Sequence, residues 1–232
     1  MNWRRAKDYA FTADLDAAGW AWEFLRRCPA YRQDHAWFMT AWRGLEADYG
    51  APPHRDFFRW KQDPRAWRAE SEIAGCKGAC PGEGDQVLIE CWMGAKWGIR
   101  GFPPDPSQDR PEELAWREPD QDATLLAPGM PSPLEPERVA LVFDLSLPLD
   151  AQMDSARRRL VASRYAWRRH NGALVRDPSR WTGWLRLLDG LMSGVSLAEV
   201  ADHLALDEPA GALRDASRLA CEDYRRILIL DL

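Results

Sequence analysis

The sequence predicts a mainly α-helical protein with a small β element. Apolar residues recur at helical spacing near both ends of the chain, and Gly or Pro ends these runs at helix-like lengths. Only three short stretches have the composition of strands, two in the middle of the chain and one at 139–145. We therefore expect an N-terminal helical domain (1–60), an irregular, proline-rich connecting region with short strands (61–138), and a helix-turn-helix-like domain (139–232).

The N-terminal domain is predicted to contain two helices. An apolar face runs from Trp20 to Leu25, and Cys28-Pro29 ends the first helix. Pro29 suits the first turn of a second helix, which ends at Gly50. Nine of the 13 tryptophans lie in the first 97 residues. Rings at helical spacing usually form a core, and a stacking platform for bases is the less frequent alternative.

In the connecting region, short strands are predicted over 87–92 and around Trp116, with proline-rich loops between and after them. The five cysteines are odd in number and too sparse for a disulfide scaffold, so we expect reduced thiols. A zinc site is the alternative, but the spacing is not that of a zinc ribbon, and we expect no metal and no other cofactor. Its candidate ligands are Cys76, Cys80, Cys91 and His54.

The C-terminal domain begins with the strand-like VALVFDL (139–145), followed by helices predicted over 151–170, from 178 and over 210–228. Between the last two lies SGVSLAEVADHL (193–204). Gly194 suits the end of one helix, and Ser196 with Glu199 forms an S-x-x-E capping box at the start of the next. Three short helices with such a turn indicate a helix-turn-helix. An ordinary helical hairpin uses the same devices and remains open.

Charge is distributed unevenly around a net charge of -5. Residues 105–154 carry 12 acidic and 3 basic side chains, whereas 155–232 carry 13 arginines and 10 acidic side chains. The segment 156–170 contains no acidic residue, and a stripe of this kind suits contact with phosphates. A solvated helix face, or pairing with the acidic segment of the same chain, are the alternatives. Its predicted DNA-binding residues are Arg157, Arg158, Arg159, Arg164, Arg168 and Arg169.

The last predicted helix is the candidate reader of bases. Arginine grips guanine bidentately, so Arg214 and Arg218, with Ser217 between them, are candidates for base-edge contacts. Arg225 continues the same outer stripe. Three acidic residues share this helix and oppose an approach to phosphates: Asp215, Glu222 and Asp223.

Enzyme and membrane classes receive no support. None of the four histidines lies in an HExxH motif, the glycine-rich GACPGEGD lacks the Lys-Ser/Thr of a phosphate loop, and no GxSxG elbow is present. We therefore expect no enzymatic activity. The N-terminus has no apolar signal core, and no run approaches the roughly 18 apolar residues of a membrane span. The expected location is the cytoplasm, away from membranes.

Several motifs carry a resemblance to known families. DYAFTADLDAAGWAWEFLRRCPAYR (8–32) resembles the N-terminal transcriptional regulator-like domain of proteobacterial regulators, with Cys28 where Asn is usual. DLSLPLDAQMDSARRRL (144–160), LRLLDGLMSGVSLAEVADHL (185–204) and DYRRIL (223–228) resemble the C-terminal type VI secretion transcription factor, DNA-binding-domain-like domain. WGIRGFPPDP (97–106) and LAWREP (114–119) are similar to the region that joins these two modules.

The resemblance implies a bacterial DNA-binding transcriptional regulator, an activator of mobile-element transfer genes or of secretion genes. The resemblance implies that the partner is double-stranded DNA. RNA polymerase or another regulator is a candidate second partner, and the protein is a candidate homo-oligomer. The last helix of the family is often richer in arginine than this one. The alternative is a protein-binding antiactivator that does not read DNA itself.

Overall fold

The structure, a computed structural model, describes residues 1–73, 85–109, 111, 114–117, 139–171 and 177–230. The predicted class, mainly α with a small β element, is confirmed. Contacts divide the chain into two compact units, one formed by 1–120 with 176–232 and the other by 121–175. The boundaries predicted from the sequence at 60 and 138 stay predictions about family modules, which do not have to coincide with packing units.

Both predicted N-terminal helices are present. After a 3-10 segment (Ala6–Asp14), helix α1 spans Ala17–Leu25 and helix α2 spans Pro29–Tyr49. The Asp16 side chain accepts from the Gly19 N–H and caps α1. Gly50 ends α2 with a φ of 85°, a conformation that favours glycine. A third short helix, α3, follows at Phe57–Gln62.

The β element consists of two small antiparallel pairs. Strand β1 (Trp67–Ala69) pairs with β2 (Gln86–Leu88), and β3 (Ile99–Arg100) pairs with β4 (Ala115–Trp116). The strand around Trp116 is therefore confirmed. The strand over 87–92 was predicted too long, because helix α4 (Ile89–Trp97) begins directly after Leu88 and buries Ile89, Trp92 and Met93. Two 3-10 turns complete this region, Pro64–Ala66 and Glu70–Ile73.

The C-terminal part of the first unit contains helices α6 (Pro178–Met192), α7 (Leu197–Leu204) and α8 (Pro209–Arg218). The final helix was predicted to be continuous over 210–228. Instead, the chain passes after Arg218 into a π-helical segment (Leu219–Asp223) and then into a 3-10 segment (Tyr224–Ile229). The register of the buried face nevertheless agrees with the prediction at Ala216, Ala220, Tyr224 and Ile227.

The core of the first unit joins its N-terminal and C-terminal elements. Trp181 of α6 packs edge-on against Trp20 and Phe24 of α1, with ring centroids 5.2 and 6.1 Å away. Both segments that follow α8 also pack against α1. The aromatic residues of the first 97 positions are thus mainly core, as their helical spacing predicts: Trp20, Trp22, Trp60 and Trp92 are fully buried.

The second unit contains the long helix α5 (Leu149–Asn171), which extends over the predicted helix 151–170. The expected strand at VALVFDL is not present over 139–145. Val142 is 98 % exposed and Leu145 is 85 % exposed, and no strand of the described residues pairs with this segment to complete its hydrogen bonds. Among the described residues, no helix is long and apolar enough to span a membrane.

Candidate nucleic-acid interface

Helix α5 begins in a turn that is held by side chains. Gln152 receives a hydrogen bond from the Asp144 N–H at 2.8 Å and donates to the Asp144 carbonyl at 2.9 Å. The hydroxyl and the N–H of Ser146 both donate to the Asp144 carboxylate and hold the pKa of that group below its usual range. This network fixes the position at which α5 starts.

The arginines of α5 are exposed cations. Arg157, Arg158, Arg159 and Arg164 all lie at the surface of the helix. None of these four guanidinium groups makes an ion pair with any part of the chain that the structure describes. Arg159 and Arg164 have no acidic residue three or four positions away on α5, whereas Asp154 lies three and four residues before Arg157 and Arg158 and pairs with neither. Arg168 and Arg169 belong to the same helix, but their side chains lie outside the described residues.

Helices α6, α7 and α8 form a three-helix unit with the predicted turn between the first two. Gly194 follows α6 with a φ of 84°, and the Ser196 hydroxyl accepts from the Glu199 N–H at 3.3 Å. The close crossing of α6 and α7 depends on Gly190, because a Cβ added there would lie 2.7 Å from Cγ2 of Val200. The sequence analysis had no signal for this role of Gly190.

The candidate base-reading residues of α8 are exposed, but carboxylates lie beside them. The Arg214 guanidinium is 3.7 Å from Asp215, and the Arg218 guanidinium is 2.9 Å from Asp223. Ser217 is half-buried between them. The two candidate arginines of α8 are therefore already paired with carboxylates, in contrast to the arginines of α5. Such exposed pairs contribute little to stability, on the order of 0–1 kcal/mol, but they lower the net positive charge of the surface.

An open cavity of about 510 Å³ between α6 and α8 shows the same mixture of charges. Trp184 and Leu206 supply apolar lining. The charged residues of the lining are Arg180, Arg214, Asp207, Glu208 and Asp215. Arg180 lies 3.4 Å from Asp215 and stacks on the Trp184 ring. Acidic residues thus outnumber arginines at this edge of the three-helix unit.

The structure places Arg225 away from the surface stripe on which the sequence analysis put it. The 3-10 segment that contains Arg225 packs against α1, and its Tyr224 hydroxyl donates to the Trp97 carbonyl. Arg225 is half-buried, lies against Gly98 and donates to the Arg117 carbonyl at 3.3 Å. It supports the packing of the C-terminal segment on the first unit, and we leave it out of the candidate interface.

Residues within 8–32, which we call the N-terminal signature, form a buried ion network with α6. Both nitrogens on one edge of the Arg27 guanidinium bind the Asp189 carboxylate of α6, at 2.7 and 2.8 Å. The Glu23 carboxylate accepts a hydrogen bond from the Arg26 guanidinium at 3.0 Å and also forms an ion pair with Arg27. The Tyr9 hydroxyl donates to Asp189, and burial together with that carboxylate raises the pKa of Tyr9 above its usual range.

This network explains physically why Trp-Glu-Phe-Leu-Arg-Arg matters to the fold. Glu23 and Arg27 are 1 % and 3 % exposed, so each charge depends on its partners for compensation. Asp189, which connects them to α6, was missed in the sequence analysis. Local spacing gives no signal for a partner 162 residues away.

The cysteines differ from the expectation of reduced thiols. Cys28, at the N-terminal end of α2, forms a disulfide with Cys221 in the π-helical segment. Cys28 makes no side-chain capping bond to α2. Cys76 and Cys80, two of the candidate zinc ligands, lie outside the described residues. Among the residues that are described, no group of three or more potential ligands is placed to hold a metal ion.

Comparison with known proteins finds one part of this chain similar to a known domain. Residues 2–60 match the proteobacterial transcriptional regulator-like domain. The match covers α1, α2 and most of α3, and therefore includes the buried Glu23–Arg27 network. It indicates a regulatory role. No curated protein and no solved structure matches the chain. The resemblance of the C-terminal half to the type VI secretion factor domain stays a prediction.

Proposed function

We propose that this protein is a transcriptional regulator that binds double-stranded DNA, in a role that involves no catalytic step. The observation that carries the proposal is the set of four exposed arginines on α5, which make no ion pair within the described residues. Phosphate binding by such cations releases counterions from DNA and supplies most of the affinity. The match of residues 2–60 to a regulator domain supports the same role.

In this proposal, α8 supplies base contacts. Arg214 is 78 % exposed on its side chain and Arg218 is 48 % exposed. They lie four residues apart, and so they project from the same face of α8 with Ser217 beside them. An approaching guanine competes with Asp215 and Asp223 for these guanidinium groups, which makes the base contacts weaker than the phosphate contacts of α5. Activation of mobile-element transfer or secretion genes, with RNA polymerase or another regulator as second partner, is the finer form of the proposal.

The test is binding to DNA from upstream of the protein's own gene and of neighbouring genes. Labelled fragments are incubated with the full chain and with excess nonspecific competitor DNA, and complexes are measured by gel retardation. We expect at least one fragment to stay bound. The double variant Arg214→Gln/Arg218→Gln keeps its affinity for nonspecific DNA but loses preference for that fragment.

The alternative function, a protein-binding module that does not read DNA, gives a different outcome in this assay. No fragment is retarded, or competitor removes every complex, and the α8 variant behaves as the unsubstituted protein does. Either result overturns the proposal of a sequence-specific regulator.

A further inference from the structure

A stripe of apolar side chains runs along α5. Leu149, Met153, Ala156 and Leu160 follow one another at intervals of four, three and four residues, so they lie on one side of the helix. We call these four residues the α5 seam. Leu149, Met153 and Leu160 are 50 %, 58 % and 44 % exposed, while the smaller Ala156 is buried. The spacing is that of the contact positions of a coiled coil.

Phosphate contacts give no reason for this stripe. Nucleic-acid backbones bind cations and hydrogen-bond donors and offer no apolar partner to leucine or methionine. Exposed apolar side chains at regular contact spacing are instead typical of a surface that packs against another helix. The seam therefore indicates an occupant that is a protein helix.

The charges beside the seam indicate which kind of partner helix it binds. Asp150, Arg157 and Arg164 flank one edge of the seam, and Gln152 and Arg159 flank the other. These are the positions that form ion pairs between the helices of a coiled coil. A second α5 packed in parallel brings Arg159 opposite Arg164 of its neighbour. An antiparallel copy brings the edge of Arg157 and Arg164 against the same edge, where the two arginines outnumber the one carboxylate of Asp150. The like charges disfavour a second copy, whereas carboxylates at the facing positions form charge-assisted hydrogen bonds with the guanidinium groups.

We propose that the α5 seam docks an amphipathic helix from a partner protein, with apolar contact residues and acidic flanks. The inference rests on the proposed function in one respect: the docked helix occupies the same arginines that contact phosphates. Partner binding and DNA binding then exclude each other. An acidic helical segment therefore acts as a competitive regulator of the DNA-binding surface.

Two synthetic peptides test this directly. Both contain four heptads with leucine at the contact positions, and they carry either glutamate or lysine at all flanking positions. Each repels a second copy of itself. Binding of the fluorescently labelled peptides to the full chain is followed by anisotropy. We expect the glutamate peptide to bind at least about ten times more tightly than the lysine peptide, with an affinity that falls as salt increases.

Variants of α5 separate the seam from the rest of the helix. Met153→Gln/Leu160→Gln removes apolar contact and weakens binding of the glutamate peptide by about tenfold or more. Val161→Gln is the matched control, because Val161 is 63 % exposed on a different side of the same helix. This variant binds within about twofold of the unsubstituted protein. Circular dichroism of each variant checks that its helix content is unchanged.

The following results overturn the inference. Neither peptide binds, both bind equally, or the Met153→Gln/Leu160→Gln variant binds as the unsubstituted protein does. A dimer in sedimentation equilibrium that this same variant converts to a monomer identifies a second copy as the occupant and also overturns it. A failure of DNA binding alone refutes the proposed function, while binding of the glutamate peptide still supports docking at the seam.

Discussion

Helices α5 and α8 both display exposed arginines, but the two helices use them differently. In α8, Arg214 and Arg218 lie beside Asp215 and Asp223, and these ion pairs belong to the surface of a packed three-helix unit. In α5, the four described arginines have no carboxylate partner within the described residues. The two helices therefore differ in how many unpaired cations they present, and unpaired cations are what the proposed phosphate binding requires.

The comparison predicts that substitutions of residues packed within the first unit change stability, whereas substitutions of the α5 arginines change binding. The largest stability effect is expected for Arg27→Met. It leaves the buried Glu23 and the Asp189 of α6 without their shared cation, and it lowers the free energy of unfolding by about 3–5 kcal/mol. Urea denaturation measures this change. Arg158→Gln in α5 is the control, and a loss of more than about 1 kcal/mol there would break the comparison.

The Cys28–Cys221 disulfide is the second largest contribution. It closes a loop across a sequence separation of 193 residues, and disulfides over long loops contribute about 2–5 kcal/mol by constraining the unfolded chain. Cys221→Ser is expected to lower the free energy of unfolding by that amount. Peptide mapping without reductant detects the Cys28–Cys221 pair in the unsubstituted protein. A map that shows both cysteines as thiols contradicts this prediction.

Gly190→Ala tests the close crossing of α6 and α7. Its new Cβ meets Val200 at 2.7 Å and Trp3 at 3.3 Å, and overpacking of this kind destabilises by about 1–3 kcal/mol. Gly183 lies in the same helix with open space around its Cβ position, so Gly183→Ala is the matched control and is expected to stabilise slightly. Equal stability of the two variants, measured by thermal unfolding, argues against the crossing described above.

The smallest expected effect separates residues that stabilise the three-helix unit from residues that contact DNA in the proposed function. Ser196→Ala removes the N-cap of α7 and lowers the free energy of unfolding by about 1 kcal/mol, with no change in the preference for a bound DNA sequence. Ser217→Ala on α8 is expected to leave the free energy of unfolding unchanged and to reduce the preference for the bound DNA sequence. Chemical denaturation and competition binding of both variants show whether the two properties separate in this way.

Local signals in the sequence predicted much of the fold. Pro29 and Gly50 bound α2 in the structure, and Gly194 with Ser196 forms the turn before α7. These features depend on residues close in sequence, which is why pattern and capping rules find them. Failures occurred where the outcome depends on distant partners. VALVFDL has the composition of a strand, but a strand forms only with a neighbour to complete its hydrogen bonds.

The candidate site was predicted in part. The arginines of α5 were found because their spacing and the absence of acidic neighbours are visible in the sequence. Arg225 is half-buried because it lies against Gly98 and Arg117, which are distant in sequence, so no local pattern predicted its position. Asp189 joins the N-terminal signature to α6 through tertiary contact alone, so its role required the folded structure.

The salt dependence of DNA binding tests the difference between α5 and α8 most directly. Affinity for one fragment is measured over a range of salt concentrations for three variants. They are Arg157→Gln/Arg158→Gln/Arg159→Gln/Arg164→Gln in α5, Arg214→Gln/Arg218→Gln in α8, and the charge-matched control Arg5→Gln/Arg43→Gln/Arg59→Gln/Arg100→Gln, which changes four exposed arginines of the first unit.

Each lost phosphate contact reduces the slope of log affinity against log salt by about 0.9, so the α5 variant is expected to lose about 3–4 units of slope and about 10³-fold in affinity near 0.1 M salt. The α8 variant and the control are expected to lose less than about 1–2 units. A slope that is unchanged in the α5 variant but reduced in the α8 variant or in the control contradicts the account.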